Sequence, residues 1–133
     1  MSKRGVFTSN GVHVKVTELR AVEFFLANGY DVELVVPSYT PGNQNPDFLI
    51  NGRAWELKTP ISTNRRTIER RVKKAGHQSE NVIVDLRFTK IPDGQCMRIL
   101  EKYLSRSSRI RRMVAINKSG RLLTVKKKKN TIQ

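Results

Sequence analysis

The spacing of hydrophobic residues along the 133-residue chain changes several times and so divides it into helices and strands. Helical spacing predicts a first helix over Thr17–Asn28, whose apolar stripe includes Leu19. Thr17 is a plausible N-cap and Gly29 a C-terminal stop. Residues 30–37 (YDVELVVP) then have the composition of a strand that ends at a proline.

The rest of the chain continues this alternation. The pattern predicts a hairpin at 47–58, a helix at 64–78, a buried strand at 81–88, a helix at 93–106 and two strands at 112–126 around a turn at 117–120. The order α β β β α β α β β predicts one domain of the α/β (α+β) class, with a mixed sheet flanked by helices. We expect residues 1–12 and 126–133 to be flexible ends of that single domain.

The hairpin NPDFLINGRAWELKTP has the clearest local signal. Asn51-Gly52 predicts a two-residue type I′ turn, because both positions of that turn need positive φ. The turn sets the register, so that Phe48 faces Trp55 and Asp47 faces Glu56. The apolar members of the hairpin then share a face that we assign to the core: Phe48, Ile50, Trp55 and Leu57.

The opposite face of the hairpin carries charged groups. Asp47 and Glu56 are predicted to be directly opposed, and Lys58 lies on the same face. Opposed carboxylates repel each other, and Mg²⁺ offsets such repulsion because it binds one or two carboxylates together with water and substrate phosphate. The alternative is a surface salt-bridge cluster of the same three residues.

Charge is distributed unevenly along the chain. Residues 1–60 contain six Lys/Arg and six Asp/Glu, whereas residues 61–133 contain 20 Lys/Arg and five acids, which accounts for the net charge of +15. A basic region of this kind favours nucleic acid as the partner. An anionic membrane is a weaker alternative, because the basic segments lack a wide apolar face.

Several other classes are disfavoured by the sequence. No apolar run reaches the ~20 residues needed to span a membrane, and no secretory signal is visible. Cys96 is the only cysteine, which excludes an internal disulfide and disfavours a structural zinc site. No Gly-rich phosphate-binding loop is present, which argues against nucleotide hydrolysis.

Pro46-Asp47 followed by Glu56-Leu57-Lys58 resembles the PD-(D/E)xK nuclease signature. Residues 17–88 are more specifically similar to the C-terminal tRNase toxin domain of contact-dependent growth inhibition (CdiA-type) proteins. The resemblance rests on the segment ending NGYDV at residues 28–32 and on VKKAGHQ at 72–78, followed by NVIVDL at 81–86. It implies a restriction-endonuclease-like fold.

The resemblance also implies roles for five residues. Glu18, Asp47 and Glu56 would bind Mg²⁺ or Mn²⁺ as catalytic metal ligands. Lys58 would orient the attacking water and stabilise negative charge on the phosphate, and Gln78 would line the site. Glu18 has another explanation, since an acid in the first turn of a helix interacts favourably with the helix dipole.

The basic residues that follow the motif are the predicted contacts to nucleic acid. They lie on the second helix and in the loop before the last two strands: Arg65, Arg66, Arg70, Arg71, Lys73, Lys74, Arg109, Arg111 and Arg112. A solvated basic surface has the same sequence pattern, and net charge favours the binding interpretation.

The predicted function is therefore that of a metal-dependent endoribonuclease that cleaves tRNA in the cytoplasm of a target bacterium. An immunity protein is the implied protein partner. The alternatives are a DNA endonuclease, such as a Holliday-junction resolvase of phage or mobile-element origin, and a noncatalytic nucleic-acid-binding protein. Cleavage of RNA could use a metal-bound water or the substrate's own 2′-OH, and the sequence does not distinguish these routes.

Overall fold

The computed structural model describes residues 3–38, 40–41 and 45–127. The elements in that part of the chain are β1 (Phe7–Thr8), α1 (Val16–Ala27), β2 (Val32–Leu34), β3 (Phe48–Ile50), β4 (Arg53–Lys58), α2 (Arg65–Gly76), β5 (Asn81–Asp85), α3 (Asp93–Arg106), β6 (Arg112–Ile116) and β7 (Leu122–Thr124). This order confirms the predicted succession of elements and adds the short strand β1 at its start.

The strands form one mixed sheet in which they lie in chain order from β1 to β7. The pairs β1–β2, β4–β5 and β5–β6 are parallel, and the other neighbours are antiparallel. The two parallel pairs at the centre require crossovers, which α2 and α3 provide. The prediction of a single α+β domain with a mixed sheet flanked by helices is confirmed.

The helices lie on both faces of the sheet. On one face, α1 packs through Val22 and Phe25 against β2, β3 and the centre of the sheet. On the other, α2 and α3 pack through Ile68, Val72 and Leu100 against β5 and β6. Strand β5 is buried along its whole length between these layers, as its unbroken apolar sequence predicts.

Helix α1 differs from the prediction at its start. It begins at Val16, because the N–H groups of Glu18 and Leu19 both donate to the carbonyl of Lys15. Lys15 therefore occupies the N-cap position, and its side chain makes no capping bond. The assignment of Thr17 as the cap was wrong, and Leu19 is 43% exposed instead of belonging to the buried stripe.

The N-terminal segment is tied to the sheet by backbone contacts. The Gly5 N–H donates to Leu26 O at 2.8 Å, and the Val6 N–H donates to the Asp31 carboxylate at 2.8 Å. These bonds precede β1, which pairs with β2. The expected flexibility of residues 1–12 and 126–133 stays a prediction, and residues 1–2 and 128–133 lie outside the described part of the chain.

Of the helices in the described ranges, none combines the length and the apolar character that a membrane span requires.

Candidate active site

The hairpin β3–β4 has the predicted turn and register. Asn51 and Gly52 have φ values of 48° and 85°, as a type I′ turn requires, and Phe48 pairs with Trp55. Phe48, Ile50 and Leu57 are buried in the core on the α1 side of the sheet. The core face of the hairpin is therefore confirmed for these three residues.

Asp47 lies just beyond the last regular pair of the hairpin. Its N–H donates to Trp55 O at 3.0 Å, and its carboxylate oxygen Oδ2 accepts from the Leu57 N–H at 2.7 Å. The observed ladder thus ends one pair before the predicted Asp47–Glu56 pair, because the Asp47 side chain takes the place of a backbone acceptor. This bond holds the Asp47 carboxylate against the strand that carries Glu56.

Glu56 is a buried carboxylate with an incomplete set of partners. It is 5% exposed, and its Oε2 lies 3.2 Å from Lys58 Nζ. Its other oxygen, Oε1, is buried and has no hydrogen-bond partner in the described part of the chain. A buried carboxylate oxygen without a partner is costly, and such an atom is a natural position for a cation, a water molecule or a substrate proton.

The surroundings of Glu56 bring its protonation equilibrium to neutral pH. Burial is the main reason that its pKa rises from 4.5 to about 7, and the negative charge of Asp47 adds to the rise. Lys58 opposes both effects through its charge and its hydrogen bond. Perturbed carboxylates of this kind are concentrated at functional sites.

Glu18 approaches the same group from α1. Burial raises its pKa first and the charge of Asp47 second, while Lys15, whose Nζ lies 4.0 Å from Glu18 Oε1, lowers it. The negative charge of Asp47 therefore raises the pKa of both Glu18 and Glu56. The structure brings these three predicted carboxylates into one region and places Lys58 beside Glu56.

Gln78 follows the C-terminal end of α2 and reaches the segment before Asp47. Its Oε1 accepts from the Asn45 N–H at 3.4 Å. The Asn45 side chain in turn bridges Ser38, accepting from its N–H and donating to its carbonyl, both at 2.9 Å. Sequence analysis missed Asn45, although an asparagine in a Pro/Gly-rich loop is a common side-chain-to-backbone clamp.

Comparison with known proteins places the chain in a family. Residues 44–122, more than half of the chain, match the model of the contact-dependent growth inhibition CdiA C-terminal domain. The chain belongs to the CdiA C-terminal domain family. No curated protein matches the sequence.

One similar solved structure is the CdiA-CT/CdiI toxin and immunity complex from Burkholderia pseudomallei, which has a TM-score of 0.61 to this chain. The alignment is 24% identical and covers 92% of this chain and 99% of the other. At this identity the similarity establishes a shared fold. The family match identifies the chain as a toxin-type domain.

The carboxylates of this CdiA C-terminal domain are the candidate metal ligands. In residues 3–38, 40–41 and 45–127, no three His, Cys, Asp or Glu side chains are grouped so that together they could hold a metal ion. The site formed by Glu18, Asp47 and Glu56 therefore stays a prediction. Asp47 with Glu56 still suits Mg²⁺, which needs only one or two carboxylates, and Glu56 Oε1 is free to bind it.

The basic residues predicted to contact nucleic acid are all exposed, but they lie in different places. Arg66, Arg70, Lys73 and Arg109 line the clefts between α2 and α3. Arg65 lies beside Lys90 at the start of α2. They therefore do not form a single patch, and the part on α2 and α3 is the most concentrated.

Arg111 and Arg112 lie in a third place. Both line an open cleft of about 620 Å³ on the α1 side of the sheet, together with Trp55. Trp55 is half-buried there, so its assignment to the core was only partly correct. Arg111 also pairs with Glu80 at 3.6 Å, and Arg112 donates to Asn81 at 3.4 Å.

A buried ion pair near α1 was not predicted. Asp85, at the end of β5, is fully buried and accepts two hydrogen bonds from the Arg87 guanidinium at 2.9 and 2.8 Å. Arg87 also donates to the Arg20 carbonyl of α1, and it lies 5.3 Å from the Phe24 ring. The pair connects the centre of the sheet to the helix that carries Glu18. Its sequence signal was an aspartate at the end of an apolar strand.

Proposed function

We propose that this CdiA C-terminal domain is an endoribonuclease of the PD-(D/E)xK type that cleaves tRNA. The observation that carries the proposal is Glu56: a buried carboxylate with one unpartnered oxygen and a pKa of about 7, held between Asp47 and Lys58. Phosphodiester cleavage at neutral pH needs a group that accepts a proton and a cation that stabilises phosphate charge. Glu56 and Lys58 could supply these two functions, and Glu56 Oε2 lies 3.2 Å from Lys58 Nζ.

Glu56 is the proton acceptor in this proposal. A general base is most effective when its pKa lies near the working pH, and burial together with Asp47 raises the pKa of Glu56 to about 7. In the route without a metal ion, the unpartnered Oε1 is the atom that would take the proton. The donor would be a water molecule or the 2′-OH beside the scissile phosphate.

Lys58 supplies positive charge to the reacting phosphate. Its ammonium pairs with Glu56 Oε2 and is about one-fifth exposed, so it can reach a substrate atom while remaining beside the base. In a partly desolvated site a fixed ammonium stabilises developing negative charge more strongly than it would in water. Lys58 would also hold Glu56 in the ionised form that accepts the proton.

In the metal-dependent route, Asp47 and Glu56 would instead hold Mg²⁺ or Mn²⁺, so that Glu56 would be a ligand and not the base, with Glu18 near Asp47. The donor set fits, because the two carboxylates repel each other and a divalent cation offsets that repulsion. When bound, the ion would neutralise phosphate charge and lower the pKa of a coordinated water. Asp47 would keep its backbone bond to Leu57 and so fix the position of one ligand.

The family supports the biological setting of the proposal. As a CdiA C-terminal domain, the chain would act in the cytoplasm of a target bacterium after delivery. The similar structure from Burkholderia pseudomallei is of a toxin and immunity complex, which supports a cognate immunity protein as a partner of this chain. We expect that protein to be acidic where it covers basic surface.

The test is a cleavage assay of the purified chain on total tRNA and on duplex, branched and single-stranded DNA. Each substrate is incubated with Mg²⁺, Mn²⁺ or EDTA, and Glu56→Ala is assayed in parallel. Discrete tRNA fragments that Glu56→Ala does not produce are the expected result, and loss of cleavage in EDTA would identify the metal route. Cleavage of tRNA in EDTA would indicate attack by the 2′-OH.

Two other outcomes would replace the proposal. Cleavage of DNA alone would make the chain a DNA endonuclease of the resolvase or repair type. Binding to every substrate without cleavage, at a salt-sensitive affinity, would make it a noncatalytic nucleic-acid-binding domain.

A further inference from the structure

Helices α2 and α3 enclose a groove on the side of the sheet opposite α1. The groove consists of two adjoining clefts of about 490 and 200 Å³, which share Lys73, Tyr103 and Arg106 in their walls. Its cationic side chains come from both helices and the loop after α3: Arg66, Arg70, Lys73, Lys102, Arg106 and Arg109. We call this surface the α2–α3 groove.

The cations of the α2–α3 groove have few acidic neighbours in the part of the chain that the structure describes. Within the described residues, none of the six forms a salt bridge with an acid. Glu69 is the one acidic side chain in the walls of the two clefts. Because like charges held together repel each other, this concentration favours a polyanion with closely spaced negative charges.

The α2–α3 groove leads toward the candidate active site. Its second cleft is lined by Gly76 and His77 at the end of α2. The next residue, Gln78, accepts the hydrogen bond from Asn45 in the segment that leads to Asp47. A nucleic-acid strand lying in the groove would therefore emerge near the segment that leads to Asp47.

The length of the groove suits a few successive phosphates. The 12 residues of α2 extend for about 18 Å at 1.5 Å per residue. That length can accommodate several successive phosphates of one strand. A short run of nucleic-acid backbone therefore fits along the groove.

Tyr103 gives the groove a neutral donor among its cations. The side chain is half-buried between the two clefts, and burial raises the pKa of its hydroxyl. The hydroxyl therefore keeps its proton and can donate to a phosphate oxygen or to a ribose 2′-OH.

We propose that the α2–α3 groove binds the phosphate backbone of a base-paired arm of the RNA substrate and directs the adjoining strand to the carboxylate site. This inference rests on the proposed RNA-cleaving function. It assigns substrate binding to Lys102, Tyr103 and Arg106 of α3, in addition to the basic residues of α2.

The test measures binding of fluorescently labelled total tRNA by anisotropy in the Glu56→Gln background, in which cleavage should be slow, at several KCl concentrations. The groove variant combines Lys73→Gln, Lys102→Gln and Arg106→Gln. We expect its dissociation constant to rise roughly 10- to 50-fold near 100 mM KCl. The slope of log K against log[KCl] should become shallower by about 2 to 3, since each lost phosphate contact removes about 0.7 to 0.9.

A matched variant controls for net charge. It combines Lys3→Gln, Arg53→Gln and Arg121→Gln, which remove the same charge from exposed positions outside the groove. We expect less than a threefold change in affinity. Equal losses in the two variants would overturn the proposal, because binding would then depend on total charge. Thermal melting of both variants verifies that they are folded.

Two further arms separate the groove from the proposed catalysis and from a protein partner. If the unmodified chain cleaves no RNA, but the groove variant still loses more affinity for tRNA than the charge-matched control does, the groove assignment stands and the nuclease proposal falls. Poly-L-glutamate serves as an acidic polypeptide probe. Loss of poly-L-glutamate binding with unchanged tRNA binding would overturn the proposal and indicate a surface for an acidic protein.

Discussion

The β3–β4 site and the α2–α3 groove use charge in opposite ways. In the site, Glu56 is 5% exposed, pairs with Lys58 and has a pKa raised to about 7 by burial and by Asp47. In the groove, six Lys and Arg side chains are exposed, and none of them forms a salt bridge within the described residues. Desolvation makes a group reactive, whereas exposure lets it attract a polyanion from a distance.

The two regions come from different parts of the chain. Residues 1–60, whose formal charges balance, supply Glu18, Asp47, Glu56 and Lys58, and residues 61–133 supply the whole positive excess. Gln78 connects the regions, because it follows the basic helix α2 and its side chain accepts a hydrogen bond from the Asn45 N–H. We infer that the site determines the rate of the reaction, while the groove determines affinity for the substrate.

Apart from changes to Glu56 itself, the largest expected effect on this comparison comes from Lys58→Met, which removes the ammonium and keeps much of the side-chain volume. We expect cleavage at saturating tRNA to fall about 100-fold or more, because phosphate charge loses its stabilising cation. Lys58 also lowers the pKa of Glu56, so the ascending limb of the pH–rate profile should move above pH 7. Lys58→Arg should partly restore both properties, and an unchanged pH profile would contradict the assigned pairing.

Added salt should weaken substrate binding by the groove and should leave the rate of the reaction at the site almost unchanged. Raising KCl from 50 to 200 mM should lower kcat/KM roughly 20- to 500-fold if three to five phosphates are neutralised at a slope of about 0.7 to 0.9 each. The rate at saturating tRNA should change by less than about threefold, since the Glu56–Lys58 pair is largely shielded from solvent. Steady-state kinetics at the two salt concentrations measures both quantities, and an equal fall in both would remove the distinction between the regions.

The raised pKa of Glu56 should also appear in stability. Above the usual pKa of 4.5 the unfolded chain loses a proton that the folded chain keeps until about pH 7, so the free energy of unfolding falls through that window. Glu56→Gln removes this loss. The free energy of unfolding of Glu56→Gln minus that of the natural chain should therefore rise by about 2 to 3 kcal/mol between pH 5 and pH 8.

Urea unfolding at pH 5 and pH 8 without divalent cations measures this change. Glu23→Gln is the matched control, because Glu23 is an exposed acid of α1 whose pair with Arg4 lies at the surface. A constant difference between Glu56→Gln and the natural chain across this range would show that Glu56 ionises normally.

The smallest expected effect comes from the connection between the regions. Gln78→Met removes the acceptor for the Asn45 N–H and keeps the length of the side chain. A neutral hydrogen bond contributes about 0.5 to 1.5 kcal/mol, so cleavage should fall about 2- to 10-fold. His77→Ala, assayed at saturating tRNA, should leave the rate unchanged. Equal effects of the two changes would indicate a general disturbance of the end of α2.

The hairpin could be predicted from sequence because its signals are local. Asn51-Gly52 determines the turn, and the turn determines which residues share a face. The same alternation predicted that Asp47 would pair with Glu56, and this prediction was wrong. At Asp47 a side chain replaces a backbone acceptor and ends the ladder. Strand alternation describes backbone pairing and contains no information on such a substitution.

The features that were missed depend on distant contacts. Strand β1 follows a close approach of Gly5 to Tyr30, where a side chain on Gly5 would meet the Tyr30 carbonyl at 1.8 Å. The Asp85–Arg87 pair depends on α1 for its third partner, the Arg20 carbonyl. The α2–α3 groove needs the packing of two helices that are separated by a strand. The basic residues were visible in the sequence, but their division among three places was not.

The central claim is that catalysis resides at Glu56 and binding resides elsewhere. The most direct measurement is single-turnover cleavage of saturating tRNA by Glu56→Gln and Glu23→Gln, with the tRNA dissociation constant measured for each. We predict that Glu56→Gln slows cleavage by about 10²- to 10⁴-fold with affinity within about threefold, and that Glu23→Gln changes neither. Cleavage by Glu56→Gln at the natural rate, or a parallel loss of affinity and cleavage, would contradict the claim.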